Sequence, residues 1–577
     1  MTGSPAVAAP RTRRLPRLDS AILVPLGAAL LLLYLVAFPL AMLILGSVSV
    51  QGEPTKGLTL GNYAETYSDP TTYRLLANSV LYAFGSSLLA LTLGTGLAWI
   101  VERTNTPARR AFFALSLVPL IVPGVVSTIA WIFLLSGQIG VVNRVLMTLF
   151  GLDTAPFDVF SLGGMMWAEG LHLSPLVFLF MSAAFKSMDP SLEESALTSG
   201  SGTWRTLRRV TLPILLPGFA SATLIMFVRG LESFEVPRLI GVPARVPVFT
   251  STIYDQLHEY PADYGGAGAL AVGLLAISAI GVWLYQRLTR RAERYATVTG
   301  KAFRPRVLDL GRWRYAALAI LLVYFLLIIG LPFGILLFAS FIPFYIPSLD
   351  MLSKLTLDNY RFALEHPSVR DGVRNSLLLG TTAATVTMAL TAVIAWITTK
   401  TKIRGRGTLD FLAFVPIAIP GLILGVSFIL QYLSPAFRFL PIYGTLWILV
   451  IAYTTKYLPY GMRTNSSAML QIHRELEEAS AVSGASWWMM FRRITLPLLR
   501  PALVAGWLYI FIVSVRELSA SVLLVTSEST VLAIVIFDLF ESGKSNAVAA
   551  LSVMLIITLI LVVLAVQRIT GRFGIKE

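Results

Sequence analysis

The chain has 577 residues, of which 56% are hydrophobic and 13% charged, with a formal net charge of +15 and a mean hydropathy of +0.74. One soluble core cannot bury that much apolar surface, so a soluble fold is excluded and an integral membrane protein is indicated. Cysteine is absent, which excludes disulfides, thiolate metal sites and thiol catalysis.

A tail, 1–20, carrying Arg11, Arg13, Arg14 and Arg17 precedes the first hydrophobic run at 21–47. That run is too long for a cleavable signal peptide and lacks its small-residue cleavage site. Further runs of about 20 residues or more, long enough to cross a bilayer, follow at 78–101, 112–134, 163–184, 214–234, 266–286, 315–341, 375–398, 409–432, 444–462, 498–526 and 547–567. Twelve helical spans are expected, six per half. Of the 46 Lys and Arg residues, 32 fall in 1–20, 101–111, 185–212, 286–314, 399–409, 463–500 and 568–577. This bias predicts that both termini are cytoplasmic. It also explains the net charge through the anionic inner leaflet, without nucleic acid.

The halves repeat each other. Asn62-Tyr63, Asn78-Ser79, Ala98-Trp99, Pro119 and Pro123-Gly124 recur 297 positions later as Asn359-Tyr360, Asn375-Ser376, Ala395-Trp396, Pro416 and Pro420-Gly421. Further along, 193–218 aligns with 477–502 at an offset of 284, with 12 identities in 26 positions. The 13-residue difference between the offsets is placed in the external loop 135–162. An even number of helices per half makes the modules parallel, related by an axis along the membrane normal, and the route for a solute should lie on that axis. The expected division is a first module 21–286 with a polar loop 187–217, a basic linker 287–314, a second module 315–567 with a polar loop 471–501, and a tail 568–577.

The polar loop reads as a short helix–turn–helix. Asp189-Pro190 is a helix start, and Glu193 and Glu194 occupy a first turn favoured by the helix dipole. Gly200, and Gly484 in the second copy, permits a reversal that a Cβ resists. Trp204 and Leu207 (Trp488 and Phe491) share one side of a second helix, Arg208-Arg209 (Arg492-Arg493) another. Leu212-Pro213 and Leu496-Pro497 are expected to end it before the next span. Singly, a Glu pair caps a helix and an Arg pair anchors topology; together and repeated, they form a contact surface written twice.

This arrangement resembles the EAA loop of the membrane subunits of ABC importers, whose usual form is Glu-Ala-Ala, three variable residues, Gly, nine more, a hydrophobic residue and Pro. The copies here are Glu194-Ser195-Ala196 with Gly200, Leu212 and Pro213, and Glu478-Ala479-Ser480 with Gly484, Leu496 and Pro497, each with one Ser for Ala. The resemblance covers nearly the whole chain, as a fused permease of the binding-protein-dependent transport inner-membrane component family with a type I importer fold. It implies that the loops, through Glu193, Glu194, Gly200, Trp204, Arg208, Arg209, Pro213, Glu477, Glu478, Gly484, Trp488, Arg492, Arg493 and Pro497, seat on two copies of an ABC ATPase subunit at the cytoplasmic face. ATP and Mg would belong to those subunits, and this chain would bind no cofactor and catalyse nothing. A periplasmic or lipid-anchored solute-binding protein would deliver cargo to the outer face of the bacterial inner membrane.

The phrases Glu232-Ser233-Phe234-Glu235-Val236-Pro237 and Arg516-Glu517-Leu518-Ser519-Ala520-Ser521 look most like the ferric-iron branch, with thiamine, phosphonate and other small charged solutes as alternatives. Arg229, Glu232, Glu235, Arg516 and Glu517 lie at the ends of the fifth span of each half, where charges are costly and face protein, water or a partner. They are the candidates for the route; the competing reading places Glu235 and Glu517 in external loop water or pairs them with Arg238 and Arg516. Gly94 and Gly96 allow close helix approach, Gly265, Gly266 and Gly268 lead into the sixth span, and the paired prolines can bend the third spans. Gly543-Lys544-Ser545 resembles a phosphate loop but has Asp538 where a glycine is required. His172, His258, His366 and His473 lack metal-ligand spacing. A secondary transporter of two six-helix halves shares this hydropathy, but gives no reason for the repeated polar loop.

Overall fold

A computed structural model describes residues 20–188, 190–292, 307–346 and 349–572. The tail to residue 19, the helix start at Asp189, linker residues 293–306 and the last five residues lie outside them. Among the described residues the chain is helical with two isolated β-bridges. Eight helices are long and apolar enough to cross a membrane, and three bent helix pairs raise that to eleven. The expected tenth span is the 26-residue helix Leu446–Gln471. Lys456 and Arg463 lower its apolarity, yet Thr454, Thr455 and Asn465 are buried against protein.

The repeat carries into three dimensions with both offsets intact. The second and eighth spans are Pro70–Arg103 and Pro367–Lys400, 34 residues each; the fourth and tenth, Leu162–Ser187 and Leu446–Gln471, have 26 each. The extra residues lie where the offsets placed them: the first half carries an additional helix, Val141–Phe150, between its third and fourth spans.

Each half packs its first helix on the other half. Ala28, Leu32, Leu35 and Val36 of the first span share a core with Ile394, Ala395, Leu458 and Met462 of the eighth and tenth. Ala317, Leu321, Tyr324 and Phe325 of the seventh span, Trp313–Ser340, join Leu97, Val101, Val177 and Phe178 of the second and fourth. Pro39 has no N–H to bond the Leu35 carbonyl, and the Thr455 hydroxyl donates to that carbonyl instead at 3.2 Å. The equivalent Pro332 follows a second π-helical turn, Leu326–Gly330, as Pro39 follows Leu33–Ala37.

The third spans do not run straight. Arg109–Leu120 and Gly124–Leu135 meet at 100°, and Arg406–Ala418 and Gly421–Leu433 at 110°. Pro123 and Pro420 sit at the breaks in extended conformation, each the N-cap of the helix that follows. Sequence places the bends; their sharpness comes from the residue before each proline being pushed out of the helical region.

Two expectations are corrected. The span drawn at 498–526 ends at Val515, because 516–531 fold into turns leading to a buried helix, Leu532–Glu541; Phe249–His258 is its counterpart. Leu212-Pro213 and Leu496-Pro497 do not end the preceding helix. Their prolines occupy the first turn of the fifth span, Leu212–Glu232, and of the eleventh, Leu496–Val515, after π-helical turns at Leu207–Thr211 and Phe491–Thr495 that absorb the missing N–H.

Of Gly94 and Gly96 in the second span, only Gly94 makes a close approach to a neighbouring helix. A Cβ on Gly94 would lie 2.6 Å from the Ser174 carbonyl oxygen and 2.7 Å from Val177 Cβ, whereas nothing lies within 4 Å of one on Gly96. Gly94→Val should therefore cost about 1–3 kcal/mol, the range for overpacking. Gly96→Ala should be neutral or gain up to about 1 kcal/mol of helix propensity. Thermal unfolding of the purified chain in detergent separates the two.

Candidate functional site

In the polar repeat, the first helix is Pro190–Thr198 in one copy and Arg474–Val482 in the other. Gly200 and Gly484 follow with φ of +81° and +77°, the left-handed region glycine enters without a Cβ penalty. The second helices are Thr203–Thr206 and Trp487–Met490, running directly into the fifth and eleventh spans.

The paired glutamates divide their work. Glu193 is buried and forms an ion pair with the buried Arg103 guanidinium at the end of the second span, and Thr211 Oγ1 donates to its other oxygen at 2.6 Å. Glu477 accepts from Trp396 Nε1 at 3.3 Å. Lys400, which aligns with Arg103, donates to the Ile472 carbonyl. Glu194 and Glu478 are exposed, as are Arg208, Arg209, Arg492, Arg493, Gly200, Gly484, Pro213 and Pro497. The first glutamate of each pair thus ties the loop to a span, and the second faces outward. Trp488 is 59% exposed and Phe491 buried, and their rings stack with centroids 6.4 Å apart; Trp487, also stacked on Phe491 and set edge-on to Trp396, carries that side onto the eighth span. The side chains of Trp204 and Leu207 lie outside the described set.

All five charged candidates line one cavity of about 160 Å³ between the halves. Lys456 Nζ lies 2.6 Å from Glu517 Oε1, which also accepts from the Ala520 N–H at 3.1 Å, while Tyr457 donates to Glu517 Oε2 at 3.0 Å. Arg229 lies 3.8 Å from Glu232 and donates to the Tyr460 hydroxyl. Arg516 crosses to the other half and donates to the carbonyls of Leu120 and Val122, at the break in the third span. Glu235 lies 3.6 Å from where a Cβ on Gly124 would stand.

Placing Glu235 and Glu517 in external loop water is therefore corrected, because the turns that follow the fifth spans fold back into the core. So is their pairing: Glu517 pairs with Lys456, and Arg238 bridges Asp255 and Glu541 at 2.6 and 2.9 Å. Glu169, His172, Lys456, Tyr457, Tyr460 and Tyr509 also line the cavity and were not foreseen. Glu169, His172 and Lys456 had a signal, each being an ionisable group inside an expected span; for the tyrosines there was none. His172 and Lys456 are equivalent at the 284 offset, as are Glu232 and Arg516, so the two walls differ in charge. Among the described residues no three His, Asp or Glu side chains are grouped to hold a metal.

The family described as "Binding-protein-dependent transport system inner membrane component" matches residues 70–294 and 388–573. The ferric transport system permease protein FbpB of Actinobacillus pleuropneumoniae is 28% identical over 511 residues, covering 86% of this chain and 71% of its own. The putative ferric transport system permease protein FbpB 1 of Haemophilus influenzae is 29% identical over 466 residues, covering 79% and 71% respectively. A solved bacterial ABC transporter involved in the import of the acidic polysaccharide alginate overlays 47% of this chain and 95% of its own, with a TM-score of 0.39 and 20% identity.

Proposed function

The chain belongs to the binding-protein-dependent transport system inner membrane component family, and from that premise we propose that it is the fused, two-module permease of an ATP-driven ABC importer for ferric iron. It is a transport subunit and not an enzyme. The observation that carries this reading is the duplicated polar loop: two copies of helix, left-handed glycine and helix, at one register, each held by a glutamate to its half. One ATPase subunit docks on each copy, with ATP and Mg on those subunits, and both loops and both termini face the cytoplasm. A solute-binding protein hands cargo to the opposite face. The cavity walled by Glu169, Glu232, Glu235, Lys456, Arg516 and Glu517 lies on the route. The names of the two FbpB relatives above, ferric transport permeases, and the carboxylates in that wall support iron over thiamine or a phosphonate.

The test is uptake into proteoliposomes holding the chain, its ATPase and its binding protein. ATP-dependent uptake of ferric iron supports the assignment; uptake by the chain alone on an ion gradient would make it a secondary transporter. The loop geometry adds a sharper expectation. Nothing lies within 4 Å of a Cβ at Gly200 or Gly484, so substitution acts only through the backbone, at about 1–2 kcal/mol for a left-handed residue with a Cβ. Gly200→Val and Gly484→Val should reduce the ATPase co-purified with the chain, and Gly→Asn at the same positions should retain most of it. Equal recovery for Val and Asn would show that the reversal plays no part in docking.

A further inference from the structure

Two ion pairs line the cavity among the described residues, and they differ. Arg229 is 39% exposed on its side chain and stands 3.8 Å from Glu232. Lys456 and Glu517 are 14% and 12% exposed and touch at 2.6 Å. The Lys456 ammonium is pressed against Gly421, where a Cβ would come within 2.5 Å of Nζ. Gly421 is the first residue of the helix Gly421–Leu433, and a cation beside the positive end of a helix is disfavoured. Glu517 is what holds the ammonium there. Lys carries its charge as a compact point on a flexible four-carbon stem, so this group can leave without moving the backbone.

The opposite wall lacks such a plug. His172 occupies the position equivalent to Lys456, and no cation of the described residues lies within 4 Å of Glu169 or Glu235. Glu169 accepts from Ser233 Oγ at 3.0 Å, and Glu235 faces Gly124, the first residue of the helix Gly124–Leu135. One wall therefore offers Glu169 and Glu235 to a cation, while Glu517 across the cavity is occupied by a cation of the chain itself.

We propose that Lys456 is a resident counter-ion of the cavity: its ammonium holds Glu517 until a multivalent cationic cargo displaces it, so that Lys456 selects against monovalent cations. This rests on the permease reading above, and deepens it by naming the charge class the route admits. At equal distance a trivalent ion attracts a carboxylate three times as strongly as an ammonium does, whereas a sodium or potassium ion carries the same charge as the ammonium and has no such advantage. The ammonium keeps its proton and swings aside; only the partner of Glu517 is exchanged.

Terbium(III) binding tests this without ATP or transport, because Tyr457, Tyr460 and Tyr509 in the cavity wall can sensitise its luminescence. The full chain assembled with its ATPase is titrated at neutral pH. Lys456→Met and Lys456→Gln should each bind terbium at least tenfold more tightly than wild type, Lys456→Arg should stay within threefold of it, and adding Glu517→Gln to Lys456→Met should abolish the gain. Affinity within threefold of wild type in both the Met and Gln variants, or a gain that survives Glu517→Gln, would overturn the proposal. Wild-type ATP-driven uptake, measured separately, reports on the permease reading alone.

Discussion

Glu193→Gln is expected to destabilise the folded chain by about 3–5 kcal/mol, the range for breaking a buried ion pair from one side. Arg103 is 1% exposed and its guanidinium faces Glu193 directly. The first polar loop is fastened to the second span through that pair and through Thr211. Glu477→Gln, at the equivalent site, should cost only about 0.5–1.5 kcal/mol, since the contacts it alters are hydrogen bonds from Trp396 and Thr495 at 3.3 and 3.5 Å rather than an ion pair. Denaturation of both variants in detergent checks the difference. The double replacement Arg103→Met with Glu193→Gln should recover much of the loss, because both charges of the buried pair are removed together. Equal costs at Glu193 and Glu477 would contradict the asymmetry between the two attachments.

Glu517→Lys is expected to reduce ATP-driven uptake by about 100-fold, equivalent to roughly 2.7 kcal/mol, while the assembled complex is still recovered. The substitution sets two ammonium groups together at the first turn of Gly421–Leu433 and removes the acceptor used by Tyr457 and Ala520. Uptake kinetics and size-exclusion chromatography of the same preparation separate transport from assembly. Exchanging the charges, with Lys456→Glu added, should restore assembly more fully than uptake, because the ion pair returns while the carboxylate moves to another span. Unaltered uptake in Glu517→Lys would remove it from the route.

Much of this fold is legible in the sequence because bilayer-length apolar runs and a duplicated chain are strong periodic signals. The offsets of 297 and 284 located the extra residues between the third and fourth spans, and Pro123-Gly124 and Pro420-Gly421 marked the bends. What the sequence concealed was tertiary. The segments after the fifth spans contain Asp, Glu, Arg and Ser and read as loops; they fold inward because Phe234, Phe249, Ile253, Ile534 and Phe537 pull them into the core. The exchange of first helices between halves leaves no local mark, since an apolar stripe does not say which partner it meets. Glu193 and Glu194 look alike side by side, and only their placement on the helix separates the tie from the outward face. Lys456 was visible as a charge within a span, but its partner lies 61 residues away.

The central claim is that the two polar loops are the sockets of an ATPase, and the chain's lack of cysteine makes the decisive measurement clean. Ser199→Cys and Ser483→Cys, exposed and adjacent to the turn glycines, are introduced singly and cross-linked in complexes active in ATP-driven uptake. Each should yield an adduct with the ATPase subunit and be labelled by an impermeant thiol reagent only from the cytoplasmic side. Labelling from the external side, or undiminished uptake with neither loop in contact with the ATPase, would contradict the account.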